Sequence, residues 1–129
     1  MSGRKREHTV LVVDDHEDVR MALEALLAAE GHAVVTAHEG EEALDRLRGG
    51  LRPCVIVLDL MMPKLDGWQF RHAQLADPAL ATIPVIAFSG YESLRERATE
   101  MGIADVCSKP VDPSVLLRAV ARHCDHTHP

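Results

Sequence analysis

The sequence predicts an α/β fold, a doubly wound parallel sheet of five strands, each followed by a helix. Three observations point to it. Short aliphatic runs alternate along the chain with longer segments in which apolar residues recur at helical spacing. Most of the runs are continuous rather than alternating, the pattern of strands covered on both faces. The connections are a few residues long, which favours right-handed crossovers around one sheet.

The elements follow in order. A first strand is expected at residues 10–13. Val19, Leu23, Leu26 and Leu27 then make the stripe of a helix that starts near His16 and stops at Gly31, where glycine suits the end of a helix. A second strand at 33–37 leads to a helix marked by Ala43, Leu44 and Leu47 and stopped by Gly49-Gly50. A third strand at 54–58 leads to a helix over 67–77 with a poorer stripe. There Phe70 and Ala73 share a face, while Gln74 falls where an apolar residue would be natural. A fourth strand at 84–88 precedes a helix carrying Leu94, Ala98 and Met101 and ending at Gly102. The fifth strand, 104–107, is the weakest signal. The last helix begins at Asp112-Pro113, proline suiting a first turn, and carries Leu116, Leu117 and Val120.

Composition agrees with one domain. The chain has 129 residues, 47% apolar and 26% charged, which excludes wholesale disorder. Aromatics are only 3%, so aliphatic side chains must fill the core. Residues 8–124 are expected to form the domain, with flexible tails at 1–7 and 125–129. Arg4-Lys5-Arg6 is read as a solvated tail, as are His123, His126 and His128 near the other end. Twenty acidic against fourteen basic residues give a net charge of −6, which argues against direct nucleic-acid binding. Three widely spaced cysteines, Cys54, Cys107 and Cys124, with no CxxC, argue against a disulfide framework or a zinc site. Cys54 and Cys107 are expected to be buried, inert thiols, and a reducing cytoplasm is the expected location. No apolar run approaches the about 20 residues of a membrane span, and no apolar segment behind the N-terminal charges suggests a secretory signal.

In an open parallel sheet the site lies beyond the carboxyl ends of the strands. Asp14 and Asp15 follow the first run, with Glu17 and Asp18 close behind. Asp59 follows the third, Ser89 the fourth and Lys109, before Pro110, the fifth. Each has a plainer role available. Asp14, Asp15 and Ser89 could cap helices, and Lys109 could be a surface lysine. Asp59 directly ends a buried run and is harder to explain that way. Together they bring three carboxylates, a hydroxyl and an ammonium to one edge. Crowded carboxylates repel, and a divalent cation with hard oxygen ligands, Mg²⁺, relieves the repulsion. Asp59 can act as a nucleophile toward phosphorus, with Lys109 and Ser89 on phosphoryl oxygens.

These segments, Val10-Leu-Val-Val-Asp-Asp15, Val57-Leu-Asp59-Leu-Met-Met-Pro63 with Leu65-Asp-Gly67, Phe88-Ser89-Gly90 and Ser108-Lys109-Pro110, resemble the receiver domain of two-component response regulators. The resemblance runs from about residue 8 to residue 124 and implies a flavodoxin-like (βα)5 fold with strand order 2-1-3-4-5. It implies that Asp59 is the phosphoacceptor and that Asp15 and Asp59 bind Mg²⁺ directly, with Asp14 acting mostly through water and the Met61 carbonyl completing the site. Ser89 would be the switch hydroxyl, and Lys109 would pair with the phosphoryl group across a cis Lys109–Pro110 bond. Pro63 and Gly67 would shape the loop beyond Asp59. The family usually carries Tyr or Phe where Val106 stands, so the usual coupling of a rotating aromatic ring to the switch hydroxyl is missing here.

The expected function is a standalone signalling switch in a phosphorelay, not an enzyme acting on other molecules. It would take a phosphoryl group from a sensor histidine kinase or phosphotransfer protein, assisting its own phosphorylation and dephosphorylation. It would then control an output protein through the face formed by the fourth helix, last strand and last helix. The sequence could equally be an excised piece of a larger protein, although Met1 suggests a natural start. A phosphatase of the haloacid-dehalogenase type would need a second Asp two residues after the nucleophile, and Met61 stands there. A flavin carrier would need a phosphate-binding loop where Asp14-Asp15-His16-Glu17-Asp18 would repel phosphate. A phosphorylation-independent pseudo-receiver would usually have lost a key acid or the lysine. Trp68 is expected to pack rather than to anchor a partner.

Overall fold

A computed structural model describes residues 9–60, 67–89, 94–108 and 112–125. The elements run β1 (Thr9–Val13), α1 (Glu17–Ala29), β2 (Ala33–Ala37), α2 (Gly40–Arg48), β3 (Val55–Asp59), α3 (Gly67–Leu75), β4 (Val85–Ser89), α4 (Leu94–Glu100), β5 (Asp105–Ser108) and α5 (Pro113–Asp125). All neighbouring strands pair in parallel, in the order β2-β1-β3-β4-β5. Residues 1–8 and 126–129, which take in most of both expected tails, lie outside the described residues.

Successive side chains of a strand point to opposite faces, and both faces here are covered. Leu11, Val13, Ile56, Leu58, Val85 and Ala87 face one side, where Ala43, Leu44 and Leu47 of α2, Trp68 and Phe70 of α3 and Ala98 of α4 complete a core. Val10, Val12, Val55, Val57, Ile86 and Phe88 face the other, against Leu23 and Leu27 of α1 and Leu116, Ala119 and Val120 of α5. That is why the central runs read as continuous in the sequence. β2, at the edge, is only partly buried along most of its length. Trp68 is buried, with the Arg97 guanidinium 4.3 Å from its ring centroid. No helix among the described residues is long and apolar enough to cross a membrane.

Gln74, the misfit in the α3 stripe, is fully buried. Its amide nitrogen donates to the carbonyls of Leu80 and Ile83, both at 2.9 Å, and its oxygen accepts from Arg71 Nη1 at 2.8 Å. Arg71 in turn donates to the carbonyls of Met101 at 3.0 Å and Gly102 at 2.9 Å, which end α4. Burial pushes the Arg71 pKa down from the usual guanidinium value. Gly102 holds the left-handed conformation at φ +71°, which turns its carbonyl out of the helix at low steric cost. The polar pair thus substitutes for apolar packing by satisfying backbone groups that the tight α3–β4 connection and the end of α4 leave over.

The cysteines depart from expectation. Cys54 and Cys124 form a disulfide, with Cα atoms 5.1 Å apart and a sequence separation of 70. Only Cys107 is a buried thiol as expected. The last turn of α5 returns to the start of β3 because α5 packs across the central strands, a proximity that cysteine spacing cannot reveal. Cysteine usage therefore gives no support for a reducing location. Cys54 Sγ also lies 3.3 Å from the Thr9 carbonyl oxygen, which would accept from the thiol after reduction.

Three outcomes are expected. Denatured without reductant, the chain exposes one thiol to a thiol-reactive chromophore, and three after reduction. Closing a loop of separation 70 contributes about 4 kcal/mol in the chain-entropy account, so reduction lowers the urea midpoint accordingly. Gln74→Leu keeps the volume but strands two carbonyls and an Arg71 donor, and urea unfolding should show a loss of about 2–3 kcal/mol.

Candidate functional site

The order 2-1-3 means that the chain winds to one side of β1 and then to the other. A crevice opens where the winding reverses, beyond the carboxyl ends of β1 and β3. Asp14 follows the last residue of β1, and Asp59 is the last residue of β3. Both are fully buried. Asp15 is partly exposed beside them. One donor atom from each of Asp14, Asp15, His16 and Asp59 lies within 4.8 Å of the others.

Asp14 is held by the backbone around it. Its N–H donates to the Ala37 carbonyl at the end of β2 at 3.1 Å, and its carbonyl accepts from Arg20 Nη1 at 2.8 Å. Its Oδ1 accepts the N–H of His16 at 2.8 Å, the start of α1. Oδ2 is buried with no hydrogen-bond partner. A buried acceptor without a donor is costly, and a second buried carboxylate nearby raises the cost. A divalent cation removes both penalties, so the residues present fit Mg²⁺.

The segment after Asp59 is held close. The Leu60 N–H donates to the Phe88 carbonyl and the Gly67 N–H to the Leu60 carbonyl, both at 3.2 Å. A Cβ on Gly67 would stand 2.5 Å from Leu60 Cα and 2.8 Å from the Asp59 carbonyl oxygen, so only glycine fits without displacing backbone.

The other expected residues are placed less fully. Ser89 ends β4, with its backbone in register with Ser108, the residue before Lys109. Its side chain, like Met61, Pro63, Gly90, Lys109 and Pro110, lies outside the described residues, and so does the expected cis bond. Val106 sits on β5, partly buried against the core that holds α2, α3 and α4. His16 was not among the expected site residues. Its place directly after the acid pair was the available signal.

A family model described as "Response regulator receiver domain" matches residues 10–121. Among curated proteins, the chain is 38% identical over 117 residues to an "Uncharacterized 14.6 kDa protein in sodA1 3'region" of Leptolyngbya boryana, covering 89% of this chain and 88% of that one. It is 39% identical over 118 residues to a "Probable transcriptional regulator ycf27" of Guillardia theta, covering 88% of this chain and 45% of that one. The chain spans about half the length of the regulators of that name that it matches. Among solved structures, a putative response regulator from Chloroflexus aurantiacus superimposes with a TM-score of 0.86 at 30% identity, covering 93% of this chain and 99% of that one.

Gly67→Ala should destabilise the protein by about 1–3 kcal/mol, the range for forcing extra volume into a packed site. Chemical denaturation checks the loss, and the same variant should bind divalent cations less tightly in calorimetry because the backbone at Asp59 must shift.

Proposed function

The chain belongs to the response regulator receiver domain family, and from that membership we propose that it is a phosphoryl-accepting switch whose acceptor is Asp59. The observation that carries this is the burial of Asp59 at the end of β3, against Asp14 and Asp15, where a carboxylate serves no packing purpose. Asp14, Asp15 and Asp59, with the Met61 carbonyl, would hold Mg²⁺, which when bound spreads the charge of the transferring phosphoryl group. A carboxylate oxygen of Asp59 attacks phosphorus. The O–P bond forms as the P–N bond of a phosphohistidine donor breaks, and the imidazole leaves. Lys109 and Ser89 would then hold phosphoryl oxygens. The donor is a histidine kinase or phosphotransfer protein, and the chain works in the cytoplasm beside it as a phosphoacceptor rather than as an enzyme on other substrates.

The output runs through α4, β5 and α5. Ser89 ends β4 and Ser108, the residue before Lys109, ends β5 beside it. β5 is tied to α5 by Asp105, which accepts from Arg122 Nη2 at 2.9 Å and contacts His123 Nε2 at 3.1 Å. That tie holds the start of β5 to the last turn of α5 and leaves the carboxyl end of β5 and the start of α5, nearer the site, to shift. With Val106 in place of an aromatic, the segment leading into α4 carries more of the change.

Incubation with acetyl phosphate or a cognate phosphorylated kinase should place one phosphoryl group on each chain, with Mg²⁺ required. Chelation or Asp59→Asn should reduce labelling to background. Labelling of Asp59→Asn at the wild-type rate would sink the assignment.

A further inference from the structure

His16 is the one member of the pocket that three-carboxylate chemistry does not account for. It stands at the N-cap of α1, yet its ring makes no capping bond. Its Nδ1 lies 3.3 Å from Asp14 Oδ1 and 3.3 Å from Asp15 Oδ1. Asp14 Oδ2, in a fully buried residue, has no hydrogen-bond partner. Asp59 contributes the fourth donor of the group.

We propose that His16 is a nitrogen ligand of this cation pocket, and that the pocket so completed takes borderline transition-metal ions such as Co²⁺ and Zn²⁺ in strong preference to Mg²⁺. This rests on the reading of the pocket as the divalent-cation site beside the phosphoacceptor. Imidazole adds little for a hard ion that prefers oxygen and retains water, and much for later first-row ions. Nδ1 stands within 3.3 Å of an oxygen of each of the first two acids, hydrogen-bonded to Asp14 Oδ1, so the nitrogen already reaches the carboxylates with which it would share the ion. The exposed ring can turn over the mouth of the pocket, and the backbone N–H that starts α1 already fixes its Cα beside Asp14.

The test is a titration of the full chain with Mg²⁺ and with Co²⁺, by calorimetry and by the visible absorption of bound Co²⁺. His123, His126 and His128 offer other imidazoles, so the pocket's share is taken as the part lost in Asp15→Asn. In His16→Ala, that share of Co²⁺ affinity should fall about tenfold or more and the intensity of its visible bands should drop, while Mg²⁺ affinity changes by less than about threefold. The side chain of His16 holds no capping bond, so this variant keeps the helix start. An equal loss for both ions, or for neither, overturns the proposal and makes His16 an ion-pair partner of the acids. Phosphoryl labelling of His16→Ala in Mg²⁺ separates the two readings. Normal labelling with unchanged Co²⁺ binding refutes the nitrogen ligand alone. Labelling that survives in Asp59→Asn refutes the phosphoacceptor beneath it.

Discussion

The repulsion between carboxylates held out of water at the ends of β1 and β3 is the constraint on which the rest of this molecule depends. Two carboxylates that are fully buried and close together repel one another and oppose folding. They persist because the surrounding structure is over-determined. β1 and β3 lie at the centre of the sheet, paired on both edges and packed on both faces. Asp14 is fixed through three backbone-linked hydrogen bonds to Ala37, His16 and Arg20. The unfavourable charge is thus built into the most rigid part of the fold. There, a bound divalent cation would relieve it without the site having to reorganise.

Rigidity at the centre leaves adjustment to the rim. On one side of the sheet, α3 is fastened to the end of α4 through Arg71 and to the α3–β4 connection through Gln74. The Arg97 guanidinium stacked on Trp68 adds a second link between α3 and α4. On the other side, α5 is joined to β5 through Asp105 and to the start of β3 through the Cys54–Cys124 disulfide. α4 is fixed at its C-terminal end and α5 at its C-terminal end, so the parts nearest the acid pocket are those least constrained by such links. A change originating at the carboxyl edge would meet the smallest resistance there, as the proposed switch requires.

Much of the fold and most of the acid pocket were legible in the sequence. Continuous aliphatic runs marked strands covered on both faces, helical stripes marked the intervening elements, and glycines at 31, 50 and 102 ended helices in left-handed backbone. These are local signals. Each depends on residues a few positions apart, so a single sequence carries them in full. Asp14, Asp15 and Asp59 were readable for the same reason, because the end of an aliphatic run is itself a position in space once the sheet is parallel.

What only the tertiary structure decided involves partners far apart in the chain. Gln74 looked like a flaw in an apolar stripe, and it became intelligible only when Arg71 and the carbonyls of Leu80 and Ile83 were brought around it. Cys54 and Cys124 looked like unrelated thiols until α5 crossed the sheet and set their Cα atoms 5.1 Å apart. His16 was an ordinary residue after an acid pair until the turn into α1 placed its Nδ1 against both carboxylates. Hydrophobic periodicity records which face a residue occupies, but it carries no information on which polar groups meet across that face. Such meetings are set by helix packing and loop closure, and these are properties of the folded chain as a whole.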